Sequence, residues 1–139
     1  MAVKRVLVVD DDPDIVDYLG FFLGDEGYEV SSAGRSSAAL NALDEFEPDA
    51  VILDVVPPGK SGLDLLVHIR QHERWSEVPI IVLTGNDAIV QDNGKNYLAG
   101  FRLERGADLV LAKPVDRDAL IAVLAALTKS RGAKLHEDT

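Results

Sequence analysis

The chain has no cysteine, one methionine, one tryptophan and only 6% aromatic residues in 139 positions. Without cysteine, disulfides, thiolate catalysis and Cys-ligated zinc or iron–sulfur centres are excluded, and a reducing, cytoplasmic setting is the expectation. Positive charge is scarce too: 14 Lys and Arg stand against 24 Asp and Glu, a formal net charge of −10. That balance argues against direct nucleic-acid binding, because phosphate backbones are held by clustered Lys and Arg. Long apolar runs are missing as well. None approaches the roughly 20 residues needed to cross a bilayer, so no membrane association is expected. The run behind Lys4 and Arg5 stops at Asp10, too soon for the core of a secretory signal.

What is present is a 47% hydrophobic content, enough for one self-supporting core in a chain of this length. Short β-branched runs, VKRVLVVD (3–10), YEVSSA (28–33), PDAVILD (48–54), VPIIVLT (78–84) and DLVLAK (108–113), alternate with stretches of helical spacing. The first helix is predicted to start with Asp12 as N-cap and Pro13 at its first position. It carries Ile15, Val16, Leu19, Phe22 and Leu23 on one face and ends before Gly27. Ser36 is expected to cap a second helix bearing Ala39, Leu40, Leu43 and Phe46, and a third runs from about Leu63 with Leu66 and Ile69 inward. The last follows Asp116 and aligns Leu120, Val123, Leu124 and Leu127. From Lys129 the chain turns polar, so a domain over 1–129 and a frayed tail or linker stump over 130–139 are expected. Strand and helix alternate with near-continuous apolar strands, which indicates an α/β fold with a doubly wound parallel sheet. The Gly-rich stretch 85–107 resists a single clean helix. A loop followed by a short helix from about Asn96 to Glu104 is predicted there.

In such a fold, ligands sit at the carboxyl ends of the strands. Four of those ends carry functional groups: Asp10, Asp11 and Asp12, then Asp54, Thr84 and Lys113. Converging carboxylates repel unless a cation neutralises them. An oxygen-only donor set suits Mg²⁺, with Mn²⁺ as the alternative. Lysine and threonine complement phosphoryl oxygens, and a carboxylate can attack phosphorus to give an aspartyl phosphate. Asp54, alone at its strand end before the turn-rich VVPPGKSG, is the chosen nucleophile. Asp12 is read as a helix cap, His68, His72 and His136 as surface residues, and Trp75 with Arg74 as decoration of the loop before the fourth strand.

The acidic pair after VLVV, the stretch DVVPPGKSGLDLL, IIVLTG and GADLVLAKP, taken together and in order, resemble the receiver domain of two-component response regulators, chemotaxis types included. The resemblance covers about residues 3 to 128. It implies a flavodoxin-like three-layer sandwich with strand order 2-1-3-4-5 and a phosphorelay switch. Asp54 would accept phosphate, Asp11 would ligate Mg²⁺ with Asp54 and the carbonyl of Val56, Asp10 would assist, and Thr84 and Lys113 would bind phosphoryl oxygens. It further implies a cis Lys113–Pro114 bond and no turnover of a diffusible substrate, only self-catalysed phosphoryl transfer and autodephosphorylation. The implied partners are a sensor histidine kinase or phosphotransfer protein and a downstream protein or output domain, with phosphorylation-dependent homodimers. The signalling face would join the fourth helix, fifth strand and fifth helix.

Two departures stand out. Val110 takes the place of the family's usual aromatic switch residue, and Thr84 to Lys113 spans 113 − 84 = 29 positions, several more than is usual in the family. Tyr97 or Phe101 from the longer segment is the expected substitute for that aromatic, or a partner contact. Val56 and Asn86 stand where the family tunes dephosphorylation. Competing classes are a pseudo-receiver that binds without being phosphorylated, and an aspartyl-nucleophile phosphatase. The latter wants a second acid two residues after the nucleophile, where Val56 stands. A flavin mononucleotide carrier is disfavoured because the acids after the first strand would repel its phosphate.

Overall fold

The computed structural model describes residues 4–10, 12–34, 36–55, 60–85, 90–91 and 106–137. Five strands, β1 (Arg5–Val9), β2 (Glu29–Ala33), β3 (Ala50–Val55), β4 (Ile80–Thr84) and β5 (Leu109–Ala112), form one parallel sheet in the order β2-β1-β3-β4-β5. The helices are α1 (Pro13–Asp25), α2 (Ser36–Phe46), α3 (Lys60–Gln71) and α4 (Arg117–Glu137). The doubly wound α/β sheet and its order agree with expectation. The segment predicted to hold an Asn96–Glu104 helix, with Tyr97 and Phe101, lies outside the described residues, as do Asp11, Val56 and Asn86. The face that combines that helix with β5 and the C-terminal helix is therefore described only at β5 and α4.

Side chains alternate across strands, and both faces of the sheet are covered. On one, Val6, Val8, Ile52, Ile81 and Leu83 pack with Leu19, Phe22 and Leu23 of α1 and Leu120 and Leu124 of α4. On the other, Leu7, Val51, Leu53 and Val82 pack with residues of α2 and α3, Leu66 and Ile69 among them. Each fully buried Leu or Ile stabilises the fold by about 1.5–3 kcal/mol relative to exposure. Val110, in place of an aromatic, is buried in the second of these layers.

α1 begins as its sequence dictates. Asp12 is in an extended conformation and its Oδ1 accepts the Asp14 N–H at 3.0 Å, while Pro13, which has no N–H to satisfy, opens the helix. At the other end, Gly27 takes φ +93°, a left-handed conformation that a side chain would strain. Gly20 lies within α1, and a Cβ built there meets nothing within 4 Å. Gly20→Ala is therefore expected to stabilise the protein by about 0.5–1 kcal/mol, since alanine keeps the helix and loses less backbone freedom. A thermal melt showing an unchanged or lower midpoint would contradict this.

Three expectations need correction. Ser36 is the first residue within α2 rather than the cap before it. The polar sequence after Lys129 does not fray: α4 continues to Glu137, because Lys, Arg, Ala, Leu and Glu are good helix formers whatever their polarity. Trp75 is not loop decoration. It is 3% exposed, packs in the α2–α3 layer and donates its indole N–H to Asp44 Oδ1 at 3.1 Å. Its neighbour Arg74 lies over the ring, 4.8 Å from the centroid, and pairs with Glu47 and Asp44. His68 and His72 are exposed, as expected.

Candidate phosphoacceptor site

Strand order reverses between β1 and β3, the position at which doubly wound sheets open a crevice at the carboxyl ends of their strands. Asp10 directly follows β1 and Asp54 lies near the end of β3. Parallel register sets Asp54 beside Leu83 and Val55 beside Thr84, which in turn pairs with Ala112, the residue before Lys113. The Lys113 N–H donates to the Thr84 carbonyl at 2.9 Å, and the Lys113–Pro114 peptide is cis, as the resemblance implied. Backbone pairing alone thus brings four of the predicted residues to one end of the sheet.

Side-chain chemistry then distinguishes them. The Asp54 side chain is 1% exposed and forms an ion pair with the Lys113 ammonium. Beyond that ion pair, neither Asp54 oxygen accepts a hydrogen bond among the described residues, and Asp10 Oδ2 accepts none there. Asp10 Oδ1 accepts the Asp12 N–H at 2.9 Å. Among the described residues, these three carboxylate oxygens are the buried side-chain polar atoms that lack a hydrogen-bond partner. Thr84 is fully buried at the end of β4.

Buried charge without partners is costly, so protons or cations are drawn to it. Asp10 is pushed from 3.8 up to about 7, first by burial and then by the neighbouring Asp54 carboxylate, which favours a proton on Asp10 and whose charge adds to the rise. The Asp12 N–H and the Lys113 charge act in the opposite direction. The folded protein therefore binds this proton more tightly than the unfolded chain. Its stabilisation is fully present below about 3.8 and is lost as pH rises through about 7. In a chelator, urea denaturation should accordingly show Asp10→Asn gaining stability relative to wild type as pH is raised from 4 to 8. A difference independent of pH would contradict the assignment.

The orphaned oxygens also fit a hard divalent cation, which bonds to oxygen and offsets carboxylate repulsion. Among the described residues no group of three or more His, Asp or Glu side chains forms a metal cage. Two of the expected ligands, Asp11 and the Val56 carbonyl, lie outside those residues.

A buried ion pair that sequence reasoning passed over lies at the opposite end of the sheet, at the starts of β4 and β5. Arg70, its side chain 1% exposed, pairs with Asp108 at 3.0 Å and donates to the carbonyls of Gly106 (2.9 Å), Ser76 (3.2 Å) and Val78 (2.6 Å). Asp108 Oδ2 also accepts the Ile80 N–H at 2.7 Å. The pair ties α3 to the start of β4 and to the approach to β5. An arginine four positions after Leu66, on an inward-facing stripe, was the available signal.

Residues 6–125 match the model of the response regulator receiver domain, and the chain belongs to that family. It is similar to the chemotaxis protein CheY4 of Vibrio cholerae, at 28% identity over 91% of this chain and 99% of that one, with a TM-score of 0.76. The response regulator TrrA of Thermotoga maritima, solved in complex with Mg²⁺ and BeF, is 33% identical over 90% and 99%, with a TM-score of 0.72. NtrX of Brucella abortus is 29% identical over 99% of this chain and 29% of its own, with a TM-score of 0.77. The protein is a signalling domain of the phosphoacceptor class in two-component systems. No helix among the described residues is long and apolar enough to cross a membrane.

Proposed function

We propose that this domain takes a phosphoryl group onto Asp54 from the phosphohistidine of a sensor kinase or phosphotransfer protein. The observation that carries the reading is the buried Asp54 carboxylate near the end of β3, ion-paired with Lys113 and otherwise without donors among the described residues. An Asp54 oxygen attacks phosphorus, the O–P bond forms as the P–N bond of the donor breaks, and the departing imidazole takes a proton. Lys113 balances charge on the transferring oxygens, and Thr84 supplies a hydroxyl donor. Asp10, Asp11, Asp54 and the carbonyl of Val56 would hold Mg²⁺ or Mn²⁺. When bound, the ion offsets the charge that carboxylates and phosphoryl oxygens bring together. The domain turns over no diffusible substrate, and loss of the phosphoryl group returns it to the starting state.

Modification changes the charge at the Asp10–Asp54–Lys113 cluster, and the signal is read at the face formed by β5, α4 and the segment before β5. A downstream protein or output domain, or a second copy, would meet that face. The receiver unit is taken as residues 1–129, with 130–139 leading out of it. The reading is tested by incubating the protein with a phosphohistidine donor and Mg²⁺. A hydroxylamine-labile label on the chain that chelator abolishes is the expected result, and no label transfer would refute it.

A further inference from the structure

Away from the phosphoacceptor end, a groove of about 620 Å³ runs between α1 and β2. We propose that it takes an extended segment of a partner protein, rich in lysine or arginine and with apolar residues between, which pairs with β2 as an additional strand. This proposal does not depend on the chemistry of Asp54.

The sheet supplies the first reason. Among the described residues β2 is an edge strand, paired with β1 alone. The Glu29 N–H donates to the Lys4 carbonyl at 2.9 Å, and the Ala33 carbonyl accepts the Asp10 N–H at 3.0 Å. In a parallel strand the groups facing one neighbour belong to alternate residues. Glu29, Ser31 and Ala33 therefore face β1, whereas Val30 and Ser32 direct their N–H and C=O groups outward. Val30, Ser31 and Ser32 all line the groove. Consecutive residues point to opposite faces of a sheet, so a groove lined by three in a row runs along the strand's edge rather than over one face. Such an edge is a template for an added strand unless it is guarded.

The helix wall supplies the second reason. Gly20 and Gly24, four apart on α1, line the groove, and a Cβ at either would meet nothing within 4 Å. The helix forgoes about 1 kcal/mol at an interior glycine relative to alanine, and the space beside β2 stays open. Phe21, 76% exposed, forms an apolar lip on the same wall. Charge selects the occupant. No lysine, arginine or histidine occurs between Arg5 and Arg35, while acids recur throughout. Asp17 lines the groove, and Asp14 and Asp25 are exposed on the same helix, whereas Glu29 of β2 is ion-paired with Arg5 at 3.4 Å. A second copy would bring the same acids and a net charge of −10 against them, so complementarity favours a basic segment.

The test uses the full chain and a labelled peptide alternating lysine with valine, followed by fluorescence anisotropy. Binding that weakens with salt is expected. It should fall about tenfold or more in Ser32→Pro, which removes one outward N–H, and in Gly20→Leu, which fills the groove at a position open enough to preserve the fold. A peptide with N-methylated alternate amides should bind more weakly by a similar factor. The proposal is overturned if the wild type does not bind the peptide or if both variants bind it equally well. Equal binding of the N-methylated peptide would also overturn it, leaving only charge attraction. So would a dimer dissociated by Ser32→Pro without peptide uptake, which would assign the edge to a second copy.

Discussion

Arg70→Ala is expected to destabilise the protein by about 3–5 kcal/mol, the usual cost of removing one partner from a buried ion pair. The Asp108 carboxylate would keep the Ile80 N–H but lose the Arg70 charge, and the carbonyls of Gly106, Ser76 and Val78 would lose a buried donor. Against a net stability of order 5–15 kcal/mol for a domain, that loss is large. Arg74→Ala is the appropriate control. Its partners Asp44 and Glu47 are half-exposed, so its ion pairs contribute no more than about 1 kcal/mol, and the remaining loss is its contact with Trp75. Urea denaturation of both variants reads the difference directly. Equal, small losses would mean that Arg70 only fills space.

The second large effect concerns Lys113. Lys113→Ala is expected to slow phosphoryl uptake about 10²–10³-fold, the scale seen when one preorganised donor to developing charge is removed. It should also leave a signature that mere disorder would not. Because the Lys113 charge lowers the proton affinity of Asp10, its removal moves that titration further upward. With Asp10 among the proposed Mg²⁺ ligands, the ion competes with that proton, so wild-type affinity for the ion should fall about tenfold per pH unit below about 7. In the variant that fall should begin at higher pH. Calorimetric Mg²⁺ titration across pH checks both, and an unshifted profile in Lys113→Ala would contradict the account.

The parts of this molecule that were legible in its sequence are those governed by near neighbours. The Asp12–Pro13 helix start needs only an oxygen two residues from an N–H. The alternating strand residues and the Leu120, Leu124 stripe report burial through their own period. The convergence of Asp10, Asp54, Thr84 and Lys113 was legible because parallel strands deliver their ends to one edge, whatever lies between them. Residues whose role depends on a distant partner were not. Trp75 is buried because Asp44, 31 positions away, receives its N–H. Arg70 is held inside by Asp108, 38 positions away. Neither partnership has a periodic signature. The run after Lys129 was misread for a different reason: polarity marks exposure, whereas helix formation follows backbone preference, and α4 has the residues for it.

The same distinction separates the two ends of the sheet. At its carboxyl end, Asp10 Oδ2 and both Asp54 oxygens lack hydrogen-bond donors among the described residues and Asp54 pairs with Lys113, an arrangement that stores unmet charge. At the β2 edge the acids are exposed and the backbone is open, an arrangement suited to recognition.

The most direct test of the central claim is intact mass after incubation with acetyl phosphate and Mg²⁺, on wild type and Asp54→Ala. The account predicts one phosphoryl adduct on the wild type and none on the variant. An unmodified wild type, or an equal adduct on Asp54→Ala, would contradict it.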